Sequence, residues 1–315
     1  MRQSIAIALA ALALVGAAVG VRSMARPMNY GEFEERVPQP AARGPIISYG
    51  PDPLQHVELW GPAIKRPIGV VLMLHGGCWQ TGVAKADIMH AAAADLAKRG
   101  FAVWNVEYRG VDVPGGGYPG TFHDVAAAAD LLAQRGKALG VDTSKVVAVG
   151  HSAGAQLALW LAGRARISRS SILAGRPPLH LLSVVSVGGL PDLASARVDA
   201  AGACGTDTVD RLVGAPGAAR RDVFADTSPT ALLPLGIRID QVSGAQDPIA
   251  PPRFAEAFAA KARAHDPVTT TVVPGAGHFE LIAPGTAAWA AVVRKIERPF
   301  TAEIGARAAA QPRPR

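Results

Sequence analysis

Three residues far apart in the chain share one setting: each stands just past a short apolar run. The first is a serine, in Gly150-His151-Ser152-Ala153-Gly154, after Val146-Val147-Ala148-Val149 and before an Ala-rich segment. This is G-x-S-x-G between a strand and a helix, where a sharp reversal lifts the hydroxyl above the sheet edge. The reversal brings positions two before and two after the serine together, so both must be small, as Gly150 and Gly154 are. With 34 glycines in the chain, chance supplies roughly 0.15 matches to the bare pattern. Context therefore carries the assignment. The competing use is a structural Gly-rich turn. A helix starting at Ala153 also favours negative charge developing beside Ser152.

A serine hydroxyl becomes a useful nucleophile only beside a base, and the base needs a carboxylate to orient it. On a strand–turn–helix scaffold the chain order is Ser, then Asp or Glu, then His. Asp247 follows the run Ile237 to Val242, in Ser243-Gly244-Ala245-Gln246-Asp247-Pro248. His278 follows Thr269 to Val273, in Pro274-Gly275-Ala276-Gly277-His278-Phe279. Both belong at the C-terminal edge of a parallel sheet, the edge of Ser152. Asp240 falls inside its strand, and Asp226 and Asp266 precede theirs. His265 belongs at the opposite edge, His151 is fixed beside the serine, and His123 and His180 lack a carboxylate partner.

Acyl transfer also needs hydrogen-bond donors aimed at the tetrahedral oxyanion. His75-Gly76-Gly77-Cys78-Trp79 follows the apolar Ile68 to Leu74, where such a loop belongs. The expected donors are the N–H groups of Gly77, Cys78 and Ala153. The side chain of His75 is expected to prop the loop rather than react.

The elements that must hold these residues alternate. Ile68 to Leu74, Phe101 to Val106, Lys145 to Val149, Leu181 to Val187, Ile237 to Val242 and Thr269 to Val273 read as strands. Phe122 to Gly136, Ala153 to Ala165, Phe254 to Ala264 and Ala287 to Glu297 read as helices. Ile46 to Tyr49 and His56 to Trp60 read as an antiparallel pair. The expectation is one α/β domain over residues 44–300: a doubly wound, mostly parallel sheet flanked by helices. The segment Leu193 to Leu232 lacks strand character and is expected to form a short cap over the site.

The net charge of +7 invites a nucleic-acid reading that its distribution removes. Residues 1–43 carry five basic and three acidic groups, and residues 294–315 carry six and two. The body between is close to neutral, with no basic stripe interleaved with aromatics. Ser4 to Val21 is an uncharged apolar stretch behind Arg2, the layout of an export signal within residues 1–25. It is also near the lower length limit for a retained anchor, and a start at Met24 or Met28 is a further alternative. Residues 26–43 read as a polar lead-in and 301–315 as a disordered tail. An exported chain permits a Cys78–Cys204 bridge, although a cysteine in such a loop is more often a small buried residue. No metal or cofactor is called for.

From about Ile46 to Glu297 the sequence resembles the α/β-hydrolase fold superfamily. It is most similar to carboxylesterase and lipase-like enzymes with an HGG-x-W oxyanion loop, a group that includes the arylformamidases. The resemblance rests on His75 to Trp79, Tyr108-Arg109, Gly117-Tyr118-Pro119, Gly150 to Gly154, Asp247 and His278. It departs at Cys78, where hormone-sensitive-lipase-like esterases have a third glycine. The resemblance implies an acyl-enzyme mechanism on a small-molecule ester, and the apolar N-terminal stretch implies export to the periplasm or medium. Trp79, Tyr118 and Phe279 are candidate pocket walls, or else core aromatics. The alternatives are arylformamidase chemistry, which an export segment disfavours, and a non-catalytic binding protein, which the intact Ser152, Asp247 and His278 disfavour.

Overall fold

The structure, a computed structural model, describes residues 26–41, 44–61, 66–175 and 179–310, with the side chains of 307–310 excepted. The apolar segment Ser4 to Val21 lies outside the described residues, as do residues 311–315. In chain order come α1 (Tyr30–Arg36), β1 (Ile46–Ser48), β2 (His56–Trp60), β3 (Val70–Leu74) and α2 (His90–Lys98). Then come β4 (Ala102–Val106), α3 (Gly120–Arg135), β5 (Val146–His151), α4 (Ala153–Gly163) and β6 (Ser183–Val187). The short helices α5 (Leu193–Asp199), α6 (Ala201–Cys204) and α7 (Thr208–Val213) precede β7 (Arg238–Gly244). The chain closes with α8 (Arg253–Ala262), β8 (Val268–Val273), α9 (Ala287–Glu297) and α10 (Thr301–Ala310).

The strands form one sheet in the order β1-β2-β4-β3-β5-β6-β7-β8. β1 pairs with β2, and β2 with β4, antiparallel, while the other five pairings are parallel. Helices cover both faces, which explains the unbroken apolar run of β3: a strand buried on two sides has no polar positions. Val70, Leu72 and Leu74 point into a core shared with α3, α4 and α8. Their neighbours Val71 and Met73 point into a second core shared with α2 and α9. The period-two alternation of strand side chains divides the two layers.

Two expectations at the ends are corrected. The lead-in contains α1, whose start is fixed by a capping box. Asn29 Oδ1 accepts the Glu32 N–H (2.9 Å) and the Glu32 carboxylate accepts the Asn29 N–H (3.0 Å), so two terminal donors are satisfied reciprocally. Phe33 of α1 is completely buried. The tail is helical over Thr301–Ala310; Ile304 packs on the second core and Glu303 pairs with Lys145 at 2.9 Å. Alanine content without an apolar stripe conceals such a helix, because one buried contact is enough to dock it.

The segment 193–232 holds no named strand, in keeping with the cap expectation, and folds as α5 to α7. Asp192 starts α5 by accepting the Ala194 and Ser195 N–H groups. Among the described residues no helix is long and apolar enough to cross a membrane.

Candidate active site

Because β3, β5, β7 and β8 run parallel, the loops leaving them emerge at one sheet edge. Ser152 follows β5 directly, at φ +55° and ψ −121°, a conformation that costs a non-glycine residue energy and persists only where the surroundings enforce it. They do so here. The Ser152 N–H donates to the Val187 carbonyl (2.8 Å). A Cβ on Gly150 would lie 2.1 Å from the Gly154 oxygen, and one on Gly154 2.3 Å from the Leu74 oxygen. Only glycine fits either position.

His278 Nδ1 and Asp247 Oδ2 are 2.6 Å apart, both side chains being almost wholly buried. Asp247 Oδ1 accepts the N–H groups of Ile249 and Ala250, each at 2.8 Å. Burial by itself pushes the Asp247 carboxyl up. The hydrogen bond and charge of His278, with the two backbone donors, outweigh that and hold it below its ordinary value. An ionised Asp247 accepts the Nδ1 proton of His278, leaving Nε2 as the ring's acceptor. The His151 ring packs at a tilt against His278, with centroids 4.5 Å apart, and its Nε2–H donates to the His278 carbonyl (3.2 Å). Burial, reinforced by positive charge on His278, lowers its pKa to about 3. His151 is therefore a neutral spacer.

The loop after β3 runs through three consecutive positive φ values: Gly77 (+107°), Cys78 (+54°) and Trp79 (+55°). His75 sets its course. His75 Nδ1 lies 2.7 Å from the Gly76 carbonyl oxygen and Nε2 3.1 Å from Glu107 Oε1, both within hydrogen-bond reach. The ring stacks on Tyr108 at 4.2 Å, whose hydroxyl donates to the His75 carbonyl (2.8 Å). A trans peptide is planar, so fixing the Gly76 carbonyl toward His75 turns the Gly77 N–H the opposite way. The Gly77 and Cys78 N–H groups donate to no acceptor among the described residues. Ala153, first residue of α4, has no intrahelical acceptor for its own N–H.

Cys78 is disulfide-bonded to Cys204 of α6, settling the question that the cysteine count left open. Gln80 Nε2 adds a hydrogen bond to the Cys204 carbonyl (3.0 Å). The cap is thus tied to this loop at two adjoining points.

Ser152 and His278 line one cavity of about 190 Å³, with Gly77, Cys78, Phe279, Val83 and Ile88 among its walls. Apart from His151 and His278, no basic or acidic side chain among the described residues lines it. Of the three aromatics expected as walls, Phe279 alone is one. Trp79 is fully buried, its indole N–H held by Gln156 Oε1 (3.0 Å): the positive φ aims the side chain into the core. Tyr118 faces a separate depression with Arg221 and Ser170. Its ring lies beneath the Arg220 guanidinium (3.7 Å) and its hydroxyl donates to Asp226 (3.2 Å). Six walls were missed from the sequence: Tyr30, Val83, Ala84, Ile88, Ala203 and Ile249. The Asn29-x-x-Glu32 capping pattern was the available signal for Tyr30's helix; nothing local marks the others. Among the described residues no group of three or more His, Cys, Asp or Glu side chains is arranged to hold a metal ion.

A family model described as BD-FAE matches residues 59–261. No curated protein matches the chain. Among solved structures it is similar to esterase B from Lactobacillus rhamnosis inhibited by a tributyrin phosphonate, at 20% identity and TM-score 0.71, covering 89% of this chain and 92% of that one. It is also similar to esterase 2 from Thermogutta terrifontis (18%, TM-score 0.65, 86% and 96%). A truncated carbohydrate esterase from gut microbiota gives 19% and TM-score 0.65 over 82% and 95% of the two chains. At these identities the likeness is one of fold, and the fold is the same mostly parallel, helix-flanked sheet. With the family model spanning more than half of its length, the chain belongs to the BD-FAE family, and its fold is that of the α/β-hydrolases.

Proposed function

We propose that this protein is an exported serine hydrolase that cleaves carboxylic esters through an acyl-enzyme. One observation carries the reading. Ser152 on its strained turn, His278 with Asp247 bonded behind it, and Gly77 and Cys78 with their unengaged N–H groups meet at a single small cavity, with Ala153 next to Ser152 in the chain.

His278 Nε2 takes the Ser152 proton as Oγ attacks the ester carbonyl. Asp247 holds the imidazole tautomer and balances the imidazolium that forms. The three N–H groups receive the oxyanion, with Cys78 supplying its backbone only, so the replacement of a third glycine does not remove a donor. The imidazolium then protonates the departing alkoxide. Water, deprotonated by the same ring, releases the acid and restores Ser152. A cavity without charged walls suits a small, neutral acyl or aryl group. That the similar esterase from Lactobacillus rhamnosis is inhibited by a phosphonate, and the Thermogutta esterase phosphoramylated by tabun, supports serine chemistry on this scaffold.

Export is supported by the apolar stretch Ser4 to Val21 behind Arg2 and by the disulfide, which persists in oxidising compartments. N-terminal sequencing of protein recovered outside the cytoplasm tests it; recovery only from the cytoplasm removes it. For the chemistry, Ser152→Ala should abolish hydrolysis of p-nitrophenyl acetate and labelling by a fluorophosphonate, with thermal melting unchanged. Retained turnover in that variant would overturn the assignment of Ser152.

A further inference from the structure

Helix α1 lies outside the stretch matched by the family model, yet it reaches the cavity. Tyr30 shares that cavity with Ser152 and His278. Its ring packs on Phe279 (5.5 Å between centroids), and Phe33 packs on the same ring (5.7 Å). Phe279 in turn stands edge-on to His278 at 5.3 Å. Three aromatic rings therefore join the N-terminal arm to the residue next to the base.

A carboxylate fastens this arrangement. Glu280 Oε1 accepts the Met28 N–H (2.5 Å) and Glu280 Oε2 accepts the Gly277 N–H (3.0 Å). One side chain thus grips both the entry to α1 and the loop that carries His278. Burial before all else, with Glu34 one turn along α1 adding to it, pushes the Tyr30 hydroxyl up to about 12. What the cavity meets at this wall is a neutral ring.

Resting on the ester-hydrolase reading above, we propose that Tyr30 determines specificity by closing the cavity around a short, uncharged apolar substituent of the ester. Glu280 is the positioning residue that keeps α1 in place. At about 190 Å³ the space is below the roughly 300–1,000 Å³ of sites that enclose larger ligands, so removing a wall changes which substituents fit. Hydrophobic pockets discriminate by about 10- to 200-fold per methylene, a range that kinetics resolves.

The test compares kcat/KM for two ester series. In one the acyl chain of p-nitrophenyl esters is lengthened from acetate to octanoate; in the other the alcohol of acetate esters is lengthened. Tyr30→Ala should raise the long-to-short ratio at least about tenfold in one series, while Tyr30→Phe keeps the wild-type profile. Glu280→Gln replaces one of two acceptors by a donor, and should shift the same series in the same direction by less. Identical profiles in wild type and Tyr30→Ala, both active, overturn the wall while leaving the ester chemistry standing. Absence of turnover in the wild-type enzyme overturns the ester reading and this inference with it.

Discussion

Cys78 and Cys204 are bonded to each other with Cα atoms 5.2 Å apart, across a sequence separation of 126 residues. The bond joins the loop carrying the unengaged N–H groups to α6 of the cap, whose Ala203 also lines the cavity. Cys78 and Trp79 both hold positive φ, a state that relaxes when its external support is withdrawn. Replacing both cysteines by alanine should therefore lower kcat by about tenfold or more, since one displaced oxyanion donor has a large effect. In the chain-entropy account, closing a loop of this length stabilises a fold by about 5 kcal/mol, so the melting temperature should fall as well. Steady-state kinetics on the double variant, beside wild type treated with dithiothreitol, gives the answer; an unchanged kcat in both would show that the loop holds its course unaided.

Asp247 spends its two oxygens differently, one on backbone donors and one on His278. Asp247→Asn can keep the contacts to Ile249 and Ala250 through its carbonyl while presenting an N–H to His278 Nδ1. The ring proton then moves to Nε2, where it blocks acceptance from Ser152. The expected loss is about 10⁴-fold in kcat with little change in KM or melting temperature. A loss below tenfold would mean that Asp247 does not set the tautomer.

His151 makes acid stability a readout of burial. Unfolded, it protonates as the pH falls through about 6.5; folded, it stays neutral until about 3. Between those values the unfolded chain binds the extra proton, so the His151 contribution to stability declines as the pH drops from about 6.5 to 3. His151→Gln retains an N–H donor for the His278 carbonyl without titrating. Its melting temperature should depend less steeply on pH between 7 and 4 than that of wild type. Parallel slopes for the two proteins would refute the assignment of a neutral, buried His151.

Much of the site was legible because it depends on local rules. A strained serine turn needs glycine on both sides at fixed offsets, and the clashes at Gly150 and Gly154 show the reason. Asp247 and His278 could be chosen over Asp240 and His265 because parallel strands deliver all their C-terminal ends to one edge. Helix α1 was not legible: seven residues with a single buried apolar side chain, Phe33, produce no period to detect. The tail helix α10 escaped for the same reason. Trp79 and Tyr118 stayed open between wall and core because an aromatic beside such a motif does not announce its direction. The φ of Trp79 sends it into the core, and Arg220 holds Tyr118 over another depression.

The amino-acid sequence by itself determined the sheet, its two-sided burial, the delivery of Ser152, Asp247 and His278 to one sheet edge, and the near-neutral body between basic ends. These follow from hydrophobic period, turn chemistry and charge, each set within a few consecutive residues. Only the tertiary structure decided that Cys78 meets Cys204, that Glu280 fastens the N-terminal arm to the His278 loop, and that Tyr30 closes the cavity. Each depends on a contact between residues more than a hundred positions apart: Cys78 with Cys204, Met28 with Glu280, and Tyr30 with Phe279. They depend on how finished elements pack, and no local pattern encodes that.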